Sequence, residues 1–296
     1  MKPKVLVILG PTAVGKSDLA VEVARMYNGE VISADSRQVY TGLDIGTGKI
    51  TKKEMRGVPH HLLDVMNPKR VFSVELWKKH TEKALEDIIS RGKLPIICGG
   101  TGFYIQSIVD NITLPDVPAN KKLRKELSLK TADELFLTLK KLDAKRAKNI
   151  DAKNPVRLIR AIEIATVLGN IPNAKKVKSD YEFIQIGLTL PLDTLRSKIH
   201  ARLLSRVKKG MLAEAKKLHE QRLSYKRMEA LGLEYRYLAL YLQKKITKEE
   251  MLERLTLEIG QYARRQIQWF KRDKRIKWFD AGNTLDTKEH IKQSLF

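Results

Sequence analysis

Short apolar runs alternate with amphipathic stretches over the first third of the chain. Residues 5–9, 30–34 and 94–98 read as buried strands, and residues 16–27 and 74–91 carry the apolar spacing of helices packed on one face. Strands separated by helices predict a parallel, three-layer α/β sheet. The third run ends abruptly at Gly99 and Gly100. Near Pro115 and Pro118 the pattern changes: residues 120–169 are helical, lysine-rich and without a strand signal, which predicts a helical insertion. Alternation returns over residues 183–190 and stops at Pro191, so the chain is expected to rejoin the sheet there. Helical patterns follow over residues 193–222, 227–243 and 248–271. The reading is a core of residues 1–117 and 181–296 interrupted by an insertion of residues 118–180, without repeats or low-complexity segments.

Composition narrows the class. With 296 residues, 43% of them apolar, the chain can fill one large core and needs no covalent staples. Its single cysteine, Cys98, excludes an intramolecular disulfide and a multi-cysteine metal site, as suits a reducing interior. The apolar stretch at residues 5–9 is too short for a signal-peptide core, and no later stretch reaches membrane-spanning length, so a soluble, cytoplasmic protein is expected. Lys and Arg number 57 against 34 Asp and Glu, a formal charge of +23, so a polyanion is the first partner to consider. The sign of the charge does not name that partner: an acidic membrane surface, or a generally lysine-rich proteome, fits equally.

The strongest chemical signal is local. Gly10, Pro11, Thr12, Ala13, Val14, Gly15, Lys16 and Ser17 satisfy the pattern GxxxxGK[ST] between a predicted strand and a predicted helix. In that context backbone N–H groups turn inward around phosphate oxygens, Lys16 neutralises charge, and the Ser17 hydroxyl can hold Mg²⁺. A di- or triphosphate is expected here, though the motif leaves open whether the phosphoryl group moves or leaves. Asp35 ends the next strand, followed by Ser36, Arg37 and Gln38; in a parallel sheet it faces the same crevice, as a metal-holding carboxylate or a general base. A second loop, Gly99-Gly100-Thr101-Gly102, reaches the same edge. The run before it lacks the terminal Asp of a routine ATPase strand. Cys98, inside that run, reads as a core residue. The adjacent His60 and His61 point to opposite sides of an extended segment, which argues against a shared metal and for loop or core-edge positions.

Two basic clusters stand out. Arg157 and Arg160 lie three residues apart on one face of a helix beginning near Pro155, a suitable grip for a phosphate backbone. Arg264 and Arg265 open a second cluster in which Tyr262, Trp269 and Phe270 are interleaved with cations through Lys277, as suits stacking on unpaired bases. Against that, Trp and Phe on a helix are more often core.

Taken in order, these segments resemble one family. The cradle, Asp35-Ser-Arg-Gln-Val-Tyr40 with Asp44-Ile-Gly-Thr47, Val58-Pro-His-His-Leu-Leu-Asp64, Gly99-Gly-Thr-Gly-Phe-Tyr104, Asn154-Pro-Val-Arg-Leu-Ile-Arg-Ala-Ile-Glu163 and Tyr262-Ala-Arg-Arg-Gln-Ile-Gln-Trp-Phe270 are similar to the tRNA dimethylallyltransferases of bacterial type, also called tRNA isopentenyltransferases. The resemblance implies a P-loop NTPase-like core flanked by helices, with a helical insertion that clamps the tRNA anticodon stem-loop. It implies transfer of a dimethylallyl group from dimethylallyl diphosphate to N6 of adenosine 37, in tRNAs reading codons that begin with U, with release of diphosphate. It further implies Asp35 as general base, Thr101 near the bridging oxygen of the diphosphate, Lys16 as the catalytic cation, Mg²⁺ at Ser17, and a monomer. Contacts to tRNA would come from Asp35, Ser36, Arg37, Gln38, Thr101, Arg124, Val156, Arg157, Leu158, Ile159 and Arg160, with Arg264 and Arg265 as the second basic patch.

The chain departs from the family pattern at Glu229, where some bacterial members carry arginine and where Arg227 stands nearby as a replacement, and in the segment Trp77-Lys-Lys-His80. The zinc finger of eukaryotic relatives is missing. The rival readings are a P-loop kinase with a helical lid, which would use ATP, a non-catalytic RNA-binding module, and a prenyltransferase acting on free adenine nucleotides.

Overall fold

In the computed structural model, which describes residues 2–172 and 177–296, the apolar runs form the centre of one sheet. The strands are β1 (Lys4–Leu9), β2 (Gly29–Ala34), β3 (His60–His61), β4 (Leu94–Gly99), β5 (Glu182–Thr189) and β6 (Lys277–Asp280). Their spatial order is β3-β2-β4-β1-β5-β6, and every neighbouring pair is parallel. A parallel sheet is covered on both faces, which is why β1 and β4 read as apolar runs rather than alternating ones and why β2 is buried throughout, Glu30 and Ser33 included. Register decides the site. Leu9 of β1 and Ala34 of β2 both pair with Gly99 of β4, so Gly10, Asp35 and Gly100 leave the same sheet edge side by side.

Fourteen helices among the described residues complete the chain: α1 (Lys16–Met26), α2 (Lys52–Met55), α3 (Val74–Ser90), α4 (Gly102–Val109), α5 (Lys121–Leu127), α6 (Ala132–Leu142), α7 (Ala144–Ala147), α8 (Pro155–Leu168), α9 (Leu192–Lys208), α10 (Met211–Glu220), α11 (Tyr225–Leu231), α12 (Leu233–Leu242), α13 (Lys248–Phe270) and α14 (Thr284–Leu295). Their starts are chemically marked. Ser73 and Asn154 accept bonds from the N–H groups of Leu76 and Arg157, and Thr131 and Thr247 form capping boxes with Glu134 and Glu250. Of the segment 77–80, without explanation in the sequence, Trp77 is core: it is fully buried, donates to Ser33 O at 3.0 Å and stacks on Tyr104 at 4.8 Å, whereas Lys79 and His80 are exposed.

The structure corrects several readings. The helical pattern of 193–222 is two helices, α9 and α10, divided at Gly210 with φ 100°; that of 227–243 is α11 and α12, divided at Gly232 with φ 79°. Apolar spacing continues across both breaks, so periodicity alone did not reveal them. Four elements carry no strong one-dimensional signal: β3 is two residues long, α4 is apolar nearly all round, β6 has four residues, and α14 buries only Thr287 and Ile291.

The chain divides into two compact units, Met1–Asn111 with Lys178–Phe296, and Ile112–Val177. The second has its own core of Leu127, Leu135, Leu139, Ala147, Leu158, Ala161 and Ile162. At its centre Glu163, 1% exposed, accepts bonds from Arg124 Nε and Nη2 at 2.7 Å, from Asn120 N at 2.8 Å and from Arg160 Nη1 at 3.1 Å. Burial opposes the charge on Glu163, but the bonds from Arg124, Asn120 and Arg160 outweigh it and hold the carboxyl below its ordinary value.

Candidate active site

The cradle follows β1 and opens α1, as its sequence requires. Gly15 at φ 100° and Ala13 at φ 64° take up the left-handed conformations that turn successive N–H groups inward. Lys16 Nζ donates to Pro11 O at 2.5 Å, which folds the side chain back over the loop. Burial, with the Arg202 guanidinium nearby, lowers the Lys16 ammonium to about 8, so the free site holds a cation short of a counter-charge. Ser17 lies exposed at the mouth of the loop. Among the described residues no group of three or more His, Cys, Asp or Glu is placed to hold a metal. A lone hydroxyl still suits Mg²⁺, which commonly takes one or two protein oxygens and completes its shell with phosphate and water.

Asp35 begins a tight turn after β2. Its Oδ1 accepts from Arg37 N at 2.8 Å and Gln38 N at 3.3 Å, which fixes the carboxylate while Oδ2 has no partner among the described residues. Thr101 Oγ1 accepts from Ser36 N at 3.0 Å, tying the loop after β4 to the turn after β2. The glycines of that loop admit close neighbours: a Cβ on Gly100 would lie 2.2 Å from Gln266 Nε2, and one on Gly102 would lie 2.3 Å from Trp269 Cδ1.

Helix α13 gives residues of the Tyr262–Phe270 segment roles at the cradle that the sequence did not assign. Gln266 Oε1 accepts from Thr12 N at 2.9 Å while its Nε2 donates to Gly100 O at 2.8 Å, so one amide locks the cradle to the neighbouring loop. Tyr262 lines the cavity, and burial, then the Asp35 carboxylate, push its hydroxyl well above the ordinary value. Helix α9 brings Arg202, whose Nη2 donates to Gly48 O at 3.0 Å and whose charge is disfavoured by burial and by adjacent Arg206. The cavity these elements enclose, of about 720 Å³, is lined by Lys16, Asp35, Arg37, Arg202, Tyr262 and Arg265 among others. Cys98 also reaches it, but burial pushes the thiol up to about 12, which removes it as a nucleophile at neutral pH.

Several expected contact residues are otherwise engaged. Leu158, fully buried in the insertion core, offers no side chain to a partner, and Ile159 packs against the same core. Arg160 and Arg124 are both tied to Glu163 while keeping part of their side chains exposed, and Arg157 and Val156, 77% exposed, lie on the open face of the same helix as Arg160. Trp269 seats on Gly102 and Phe270 is buried, so the interleaved aromatics are packing residues, whereas Arg264 and Arg265 are exposed. Arg227 holds the 68–70 segment through Pro68 O at 2.7 Å and Arg70 O, away from the cradle. His60 and His61 serve the β3 edge: His60 Nδ1 is 2.9 Å from Val58 O and His61 Nε2 is 2.7 Å from Glu30 Oε2.

Comparison with known proteins agrees with this geometry. The model of the IPP transferase family matches residues 38–273. A tRNA dimethylallyltransferase of Anoxybacillus flavithermus is 40% identical over 300 residues, covering 100% of this chain and 96% of the relative. A tRNA dimethylallyltransferase 2 of Treponema denticola is 44% identical over 272 residues, covering 90% and 91%. The crystal structure of a tRNA isopentenylpyrophosphate transferase from Bacillus halodurans superposes with TM-score 0.75 at 37% identity, covering 99% of this chain and 97% of that one. A eukaryotic dimethylallyltransferase captured acting on tRNA superposes with TM-score 0.78 at 28% identity, covering 94% and 74%. With its cradle, its flanking loops and most of its length accounted for in this way, the chain belongs to the IPP transferase family.

Proposed function

We infer that this chain transfers the dimethylallyl group of dimethylallyl diphosphate to N6 of adenosine 37 in tRNA, giving N6-dimethylallyladenosine and diphosphate. The observation that carries the reading is the convergence, at one sheet edge, of a phosphate cradle with a fixed carboxylate in a basic cavity. In the reaction the allylic C1–O bond breaks, the electron pair leaves on diphosphate, and N6 forms the new C–N bond. The cradle N–H groups, Lys16 and Arg202 meet the charge that develops on the leaving oxygens. Mg²⁺, when bound, would supply further charge stabilisation, held by Ser17 and the diphosphate oxygens. The exocyclic amine is a poor nucleophile, so Asp35, oriented by its turn, takes the N6 proton. Thr101, whose Oγ1 accepts from Ser36 N in the same turn, turns its one hydroxyl proton from Tyr262 to the diphosphate when the donor binds. The target base must leave its stack to enter the cavity, and the enclosing walls protect the allylic donor from water.

Exposed Arg157, Arg264 and Arg265 supply phosphate-backbone contacts, with tRNA bound by a monomer in the cytoplasm. The cradle also admits ATP, as a competitor for the donor's diphosphate end. The test is mass spectrometry of nucleosides from tRNA incubated with the purified protein, dimethylallyl diphosphate and Mg²⁺. Prenylated adenosine at position 37 is expected; its absence with folded protein, or phosphate transfer from ATP in its place, overturns the reading.

A further inference from the structure

The wall of the cavity opposite the cradle is the loop of residues 44–48, and its anchoring is unusual for a surface loop. Glu214, in the first turn of α10, accepts three successive backbone N–H groups: Asp44 and Ile45 on Oε2 at 3.0 and 2.7 Å, and Gly46 on Oε1 at 2.9 Å. The Tyr235 hydroxyl adds a fourth bond to Oε1 at 2.6 Å. Arg206 Nη1, itself paired with Glu234 at 2.9 Å, donates to Gly46 O at 2.8 Å. The far end of the loop then presents Gly48 O to Arg202 Nη2. A continuous set of bonds thus runs from Glu214 through the loop to the Arg202 guanidinium, which lines the cavity near Lys16.

We propose that Glu214 is a positioning residue for the donor diphosphate, acting through the 44–48 loop to hold Arg202 in place. A carboxylate suits the task because it is acceptor-only, with lone pairs enough for four donors, whereas an amide would turn two hydrogens toward N–H groups. Arg202 needs such support. Its long side chain has many rotamers and is exposed to solvent, so without a fixed acceptor the guanidinium would swing away from the cavity. The proposal rests on the reading of Arg202 as a diphosphate contact.

The test uses the full chain and inorganic pyrophosphate as probe, with affinity measured by calorimetry, followed by steady-state kinetics in the donor. Arg202→Ala is expected to weaken pyrophosphate binding about tenfold or more, as befits removal of a charge-assisted hydrogen bond. Glu214→Gln is expected to weaken it about tenfold, raising donor KM more than it lowers kcat. The double variant is expected to bind no more weakly than Arg202→Ala alone, because both changes remove one effect. Should Glu214→Gln fail to fold, Tyr235→Phe and Gly46→Ala enter the same cycle. The latter brings a Cβ to 2.6 Å from the Tyr235 hydroxyl and so displaces the loop from its carboxylate anchor. Additive losses, at Glu214 or its substitutes, overturn the proposal while leaving the reading of Arg202 intact. Unchanged binding in Arg202→Ala overturns both.

Discussion

Lys16 shows how burial prepares a residue for its ligand. A desolvated ammonium near the Arg202 guanidinium is held near 8 in the free protein, against an ordinary value of 10.5, and a bound diphosphate raises it again. Binding therefore takes up a proton between these values. Once the ionisation of pyrophosphate itself is subtracted, the Lys16 contribution to affinity is expected to be flat below about pH 7.5 and to fall by up to about tenfold per pH unit above 8, which calorimetry in buffers of different ionisation enthalpy will read as proton uptake. A pH-independent contribution from about 7 to 9.5 would contradict this. Asp35 permits a clean separation of roles. In Asp35→Asn the Oδ1 atom still accepts from Arg37 N and Gln38 N, so the turn survives while the base is removed. Turnover is expected to fall roughly 10²- to 10⁴-fold with pyrophosphate binding unchanged; parallel losses in both would mean that Asp35 serves binding instead.

Among the elements, α13 does the most to assemble the site. One turn after another it places Tyr262 and Arg265 on the cavity, Gln266 between two loops and Trp269 on Gly102. Its amphipathic pattern was legible, as were the short apolar strands, because these depend on neighbours in sequence. The polar residues on its inner face were not, since a glutamine on a helix looks solvated until the loops it bridges are known. Gln266→Leu leaves Thr12 N and Gly100 O without their partner. Each orphaned group costs about 1–3 kcal/mol, so a drop of several degrees in Tm is expected together with weaker pyrophosphate binding. Wild-type stability in Gln266→Leu would show that water replaces the amide at no cost. Helix α4 was missed for the opposite reason: with Tyr104, Ile105, Ser107, Ile108 and Val109 all buried it has no polar face to reveal a period.

At the scale of the whole molecule the charge of +23 is unevenly available. Arg124 and Arg160 are engaged by Glu163, Arg206 by Glu234, and Arg275 by Asp110 and Asp273. Arg264, Arg265, Lys271 and Arg272 are exposed along and just beyond one helix and remain available to a polyanion. Neutralising Arg264, Lys271 and Arg272 together is expected to weaken binding of an anticodon stem-loop. The slope of log K against log salt is expected to drop by about 0.7–0.9 for each phosphate that the variant no longer neutralises. An unchanged slope would assign the charge to solubility alone. Arg265 stays intact in that variant because it lines the cavity.

The sequence by itself determined the parallel sheet, the phosphate cradle, the placement of Asp35 beside it and the family resemblance. Each depends on short-range order: strand runs, a loop whose glycines and lysine are contiguous, and the rule that parallel strands deliver their ends to one edge. Only the tertiary structure decided which polar side chains complete the site. Thr12 meets Gln266 across 254 positions, and Glu214 meets Asp44 across 170. It also decided which arginines are structural, since an arginine on a helix carries no mark of the buried carboxylate waiting for it. Such pairings are long-range and are satisfied one residue at a time, so they leave no period or motif in the chain; they exist only once the helices have packed.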